Sequence, residues 1–281
     1  MGLFTRKRRD AKIIKPTGAI DGIFPFIFDK KVDAEVSSTI DIDIEELCKY
    51  VDRKNKSGDL EYKMTYFHAI LYCFGIVFLK REKLNRFIKN KTLYERPTTS
   101  FAFMAKDKMS DDAEEKMIFI ELDPKDTCVS MSKKLAIDVF HSKHNGDNSM
   151  DDVIKYFLKL PKWLLSLVVG IVKWMDKKGI NPKALTTGDT NYSTVIFSNL
   201  GSIKSNSCYH HLSEYGTNSI IITIGTIRKV DGRRTVDMTF TLDERIADGF
   251  YFAKSVNMAQ EIMKNSELFD KELGQDYDFE N

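Results

Sequence analysis

A strict alternation of apolar and polar positions over residues 36–44, Val-Ser-Ser-Thr-Ile-Asp-Ile-Asp-Ile, predicts a half-buried strand. Asp43 then stands where its carboxylate can cap a helix over 45–54. Over 62–80 the period lengthens, with Phe67, Ile70, Leu71, Phe74 and Val77 at helical spacing in a strongly apolar segment. Three short strands are predicted at 86–89, 93–95 and 100–105, and a fourth at 117–122. The charged stretch 106–116 reads as the loop joining the last two. Residues 126–140, 150–158 and 159–178 carry helical patterns. Strands return at 194–198, 219–228 and 234–242, and 249–264 closes the chain as a helix. Asp231-Gly232 is a two-residue turn signal, so the last two strands form an antiparallel hairpin. Strands and helices with hairpins among them predict an α+β fold with a mostly antiparallel mixed sheet flanked by helices.

The ends read differently from the middle. Residues 1–22 form a basic N-terminal arm, 23–269 the folded domain, and 270–281 an acidic C-terminal tail. The apolar run 23–28 is expected to pack the arm onto the body. Arg6 to Arg9 is the only dense basic run, and its place in the arm predicts a solvated terminus. The apolar run from Trp163 to Val172, bounded by Lys162 and Lys173, is far shorter than the roughly 20 residues that cross a bilayer. It reads as a helix buried in the core or packed on a neighbouring subunit, with a helix lying in a membrane interface as the minority alternative.

A net charge of +2 with 30% charged residues argues against nucleic acid as the main partner. Cys48, Cys73, Cys128 and Cys208 lie far apart without paired metal-ligand spacing. With no secretory signal, they are expected to be reduced thiols of a cytoplasmic protein. His141 and His144 are three residues apart in a polar segment expected to be a loop between two helices, but no third ligand stands near, so no metal is expected. His68, alone in an apolar helix, reads as a packed core residue.

Two stretches carry candidate chemistry. Ser193-Thr-Val-Ile-Phe-Ser-Asn-Leu-Gly201 is a strand running into a Gly turn. Further on, a strand runs into Asp243-Glu-Arg-Ile-Ala-Asp-Gly249, placing Glu244 on a strand-to-helix connection and Asp248 at a helix N-cap. Alone, an Asp-Gly after a strand is most often just a turn. Together the two stretches resemble the acyltransferase core of 2-oxo-acid dehydrogenase complexes and chloramphenicol acetyltransferase. In that family a strand ending in Ser-Asn-Leu-Gly precedes one running into Asp-His-Arg-x-x-Asp-Gly. Here Glu244 occupies the position of the catalytic histidine.

The resemblance spans about Phe24 to Phe269 and implies the chloramphenicol acetyltransferase-like fold. It also implies a homotrimer with active sites between subunits, and coenzyme A or acyl-CoA as substrate, with no cofactor held permanently. By position, Ser198 corresponds to the serine that stabilises the oxyanion. Asp248 corresponds to a structural aspartate held in an ion pair, for which Lys30 or Lys31 is the suggested partner. Glu244 corresponds to the general base, although a carboxylate with a reference pKa of about 4.3 needs burial to serve a thiol at neutral pH. His210 and His211 are a possible replacement base, and Cys208 beside them a candidate thiol. The residues that touch coenzyme A, the acyl donor and the acceptor are unassigned. Two functions follow: a stand-alone CoA-dependent acyltransferase with an altered base, or an inactive relative serving as trimeric scaffold or acyl-CoA-binding module. A peripheral membrane protein using the basic arm and the Trp163 helix is a third.

Overall fold

A computed structural model describes residues 8–106, 115–144 and 155–277. Lys12–Ile13 (β1) pairs with a later strand, and Ala19–Ile27 (α1) follows it. Glu35–Asp43 (β2) realises the alternating segment, and Glu45–Ser57 (α2) and Tyr66–Lys80 (α3) come next. The second begins four residues later than its apolar pattern because Thr65 caps it, accepting the His68 N–H. Arg86–Lys89 (β3) and Thr92–Glu95 (β4) form a hairpin that β1 extends into a three-stranded antiparallel sheet.

Ser100–Lys106 (β5) and Glu115–Glu121 (β6) precede the helices Cys128–His144 (α4) and Lys162–Lys178 (α5). The loop between β5 and β6 and most of the segment 145–158 lie outside the described residues. Val195–Asn199 (β7), Ile220–Ile224 (β8), Arg228–Val230 (β9), Arg233–Asp243 (β10) and Gly249–Lys264 (α6) complete the chain. The main sheet runs β2-β10-β8-β7-β5-β6, with β9 paired to β10. The β5–β7 and β7–β8 pairs are parallel and the rest antiparallel.

Helices α2, α3, α4 and α6 cover one face of this sheet. Every residue of α3 from His68 to Phe78 is buried, as expected of a helix apolar on all sides. Phe74 meets the rings of Phe197 and Phe240 at 5.5 and 6.0 Å, and Phe78 meets Phe101 at 5.4 Å. The core is therefore welded along the middle strands.

Three expectations change. The run 219–228 divides into β8 and β9 at a bulge: between the pairs Ile224–Met238 and Arg228–Thr235, three residues face two, and the first of them, Gly225, leaves room for the Asp237 carboxylate that a Cβ would fill. The Asp231-Gly232 turn has φ values of 49° and 80°, the left-handed pair that a two-residue hairpin requires, so the hairpin joins β9 to β10. The run 23–28 packs inward only in part: Pro25 is buried and Phe24 and Phe28 half-buried, while Ile20, Ile23, Phe26 and Ile27 of α1 face solvent.

The basic run is corrected at Arg8, which is buried. Its guanidinium lies over Phe87 and Tyr94 at 5.2 and 5.6 Å, pairs with Asp10 at 2.7 Å, and donates to the Asp176 carbonyl at 2.9 Å. Aromatic faces and the carbonyl end of α5 together replace water around this cation.

Candidate active site

Ser198 sits one residue before the end of β7, and Glu244 directly follows β10. Strand register sets Ser198 level with Thr223, Thr223 with Thr239, and Thr239 with Thr39. Paired positions share a face, so these four hydroxyls form a row across the side of the sheet turned away from the helices. Thr39 and Thr239 bond at 2.8 Å, and Ser207 reaches Thr239 at 2.8 Å from above. Cys208 donates its N–H to Thr223 and accepts the Thr223 hydroxyl at 2.7 Å through its carbonyl. Ser198, half-buried at the end of the row, makes no side-chain hydrogen bond among the described residues.

Glu244 stands on a tight turn held by its neighbours. Arg245 donates from Nε and Nη2 to the two Asp243 oxygens, each at 2.7 Å, and from Nη1 to the Phe28 carbonyl at 2.8 Å. Asp243 is fully buried and Arg245 nearly so. The Glu244 N–H donates to Ala34 at 2.9 Å. Its half-buried carboxylate has no hydrogen-bond or ion-pair partner among the described residues. Asp248 caps α6, accepting the Tyr251 N–H at 2.7 Å, and makes no ion pair among the described residues. The pair that holds this turn is Asp243–Arg245. Lys30 is exposed and Lys31 is buried elsewhere.

One chain does not bring Ser198 and Glu244 together. Glu244 is five residues past Thr239 and two strands from β7, roughly 20 Å from Ser198 at about 3.3 Å per residue and 4.8 Å per strand. His210 and His211 are exposed, with ring centroids 5.7 Å apart. They lie between the Cys208 anchor on Thr223 and Leu212, whose N–H donates to Glu35, the residue opposite Asp243. Burial pushes the Cys48 thiol up to about 12 and raises Cys73 and Cys128, whereas Cys208 is exposed. The loop expected at His141 and His144 is instead the last turn of α4, which runs on to His144, and no set of three or more His, Cys, Asp and Glu among the described residues can hold a metal ion.

A cavity of about 530 Å³ opens between the start of α3 and the ends of β5, β7 and β8. Phe67 and Phe103 form its walls, and His68, Asn199 and Thr226 contribute polar groups. His68 is a buried residue, as its sequence context implies, but it also faces this space. Burial lowers its pKa to about 4, so the ring is neutral at physiological pH.

No family model and no curated protein matches this sequence. Solved structures do. A probable dihydrolipoamide acetyltransferase from Listeria monocytogenes superposes with a TM-score of 0.58 at 12% identity, over 91% of this chain and 95% of that one. Dihydrolipoamide acetyltransferase of Azotobacter vinelandii, studied for a serine, a histidine and an asparagine in its catalytic mechanism, gives 0.55 at 12% identity over 82% of each chain. A chloramphenicol acetyltransferase gives 0.55 at 12% identity, covering 90% of this chain and 99% of that one. The fold is that of the chloramphenicol acetyltransferase-like acyltransferases.

Within this acyltransferase fold, the loop 213–218 shows an arrangement the sequence does not announce. Lys31 Nζ donates to the carbonyls of Ser213 at 2.8 Å, Asn218 at 2.6 Å and Gly216 at 3.5 Å. Lys89 Nζ donates to Glu214 at 2.8 Å and Gly216 at 3.0 Å, and Arg96 to Thr217. Backbone oxygens thus take the place of water around three cations. Asp176 balances them, accepting Lys89 at 2.5 Å, the Tyr192 hydroxyl at 2.9 Å and the Gly216 N–H at 3.3 Å. The network borders a second cavity of about 720 Å³, lined also by Arg245, Lys173 and Lys177.

Proposed function

We propose that this protein is a cytoplasmic, CoA-dependent acyltransferase in which Glu244 replaces histidine as general base. The observation that carries the reading is the acyltransferase fold together with the two motif segments at the ends of β7 and β10 of one sheet. Glu244 takes the proton from an acceptor thiol or hydroxyl as that group attacks the thioester carbonyl. Ser198 donates its hydroxyl to the oxyanion, which collapses as the CoA thiolate leaves. Asp248 fixes the start of α6 behind the Glu244 turn. The cavity beside Asn199 is the place for the thioester arm, next to Ser198 in the chain. Because Ser198 and Glu244 lie roughly 20 Å apart in one chain, a working site combines them from two copies, as in a homotrimer.

The Glu244 carboxylate, without a partner among the described residues, favours a second reading, an inactive relative that keeps the fold as scaffold or acyl-CoA-binding module. Thioester cleavage with short acyl-CoAs and generic thiol or amine acceptors separates the two. For an active enzyme, Glu244→Gln abolishes turnover of the native protein. If the native protein is inert and only Glu244→His gains activity, the base has been lost. CoA binding without turnover in all three supports the binding module, and no binding removes the acyltransferase reading.

A further inference from the structure

Both tryptophans of the chain, Trp163 and Trp174, lie on α5, and both face solvent. At about 100° per residue, Trp163, Leu167, Ile171 and Trp174 fall on one stripe roughly 16 Å long. Their exposures are 71%, 55%, 49% and 54%, so none of the described residues covers this stripe. Leu164, Leu165, Val168, Val172 and Met175 turn the other way and are half-buried. A helix apolar on two faces needs a cover on both.

The lysines indicate what covers the outer one. At about 100° per residue Lys162, Lys173 and Lys177 fall along one edge of the stripe, exposed and without ion pairs among the described residues, and the last two also form the rim of the 720 Å³ cavity beside loop 213–218. The only acidic residue of the helix, Asp176, is buried against Lys89. Cores of protein interfaces are depleted of lysine. Indoles at both ends of an apolar stripe, with a lysine row beside it, match the boundary of an anionic bilayer instead. Aliphatic side chains enter the acyl region, indoles sit among the headgroups, and ammonium groups meet phosphates.

The helix is not a membrane span: no helix among the described residues is long and apolar enough to cross. Its C-terminal end is tied to the body through Asp176, so a helix lying on the surface carries the domain with it. We infer that α5 is a membrane-surface docking helix whose partner is the headgroup–acyl boundary of an anionic lipid bilayer.

Because no tryptophan lies elsewhere, intrinsic fluorescence of the full-length protein reports on this helix alone. With phosphatidylcholine vesicles containing phosphatidylglycerol, emission is expected to shift to the blue and the protein to pellet with the vesicles. Pure phosphatidylcholine gives weaker effects. Leu167→Glu/Ile171→Glu abolishes both signals while leaving circular dichroism and the unfolding midpoint unchanged. The triple variant Lys162→Gln/Lys173→Gln/Lys177→Gln, a check independent of the apolar stripe, weakens partitioning on the order of a hundredfold and flattens its salt dependence. The inference is overturned if neither signal responds to anionic vesicles. It is equally overturned if emission is already blue without lipid and Leu167→Glu/Ile171→Glu breaks an oligomer, since a second copy then covers the stripe.

Discussion

Asp243→Ala is expected to lower stability by about 3–5 kcal/mol. The substitution leaves the Arg245 guanidinium, buried and doubly bonded to that carboxylate, with the Phe28 carbonyl as its remaining partner. The cost comes mainly from an uncompensated buried charge, so Asp243→Asn, which keeps an acceptor and the side-chain volume, is milder. The measurement is the urea midpoint at constant m-value. A loss below about 1 kcal/mol, the worth of an exposed ion pair, would sink the idea that this pair holds the Glu244 turn.

Stability should also rise with pH through the titration of Lys31. Burial, then the nearby Lys89, lowers its pKa from 10.5 to about 7, against the opposing pull of Asp243 and Glu214; Arg96 adds to the lowering. The unfolded chain therefore binds this proton between about pH 7 and 10.5 while the folded chain does not. More protons bound in the unfolded state means that stability climbs with pH there, by up to about 1.4 kcal/mol per unit. The contribution is lowest below pH 7, where the folded protein must hold a buried ammonium on carbonyl oxygens. Lys31→Gln retains donors for those carbonyls and removes the titration. Parallel stability-against-pH curves for the two proteins would show that Lys31 stays charged throughout.

Local periodicity made much of the fold legible. Period-two alternation locates β2 to within a residue, the Asp231-Gly232 signal locates the last hairpin, and Asp248 marks the start of α6. These features depend on neighbours in sequence. Where the decisive contacts come from far away, the reading fails. A cation in a basic run reads as solvated, and only the hairpin carrying Phe87 and Tyr94 makes Arg8 a buried residue. An apolar run reads as buried, yet in α1 and α5 several apolar side chains are left uncovered by the described residues. The parallel strand pairs depend on crossovers whose direction local pattern does not encode. At the candidate site, motif spacing singles out Ser198, Glu244 and Asp248 as the residues to test. Their separation was not legible, since register rather than spacing sets it. Loop 213–218 was invisible for a simpler reason: its ligands are carbonyl oxygens, which every residue possesses.

That loop also bears on the order in which the molecule assembles. Its contacts with Lys31, Lys89 and Arg96 span 183, 125 and 121 residues of chain. Closing such long separations has an entropic cost that is recovered only once the segments supplying the cations are already in place. Loop 213–218 therefore sets late, after the folding barrier has been crossed. Lys89→Met should leave the refolding limb of a chevron plot where it is and lift the unfolding limb, because its contacts are absent from the transition state. Slowed refolding would place the loop in the nucleus instead. On this ordering, the carbonyl cage governs how long the native state lasts rather than how fast it forms.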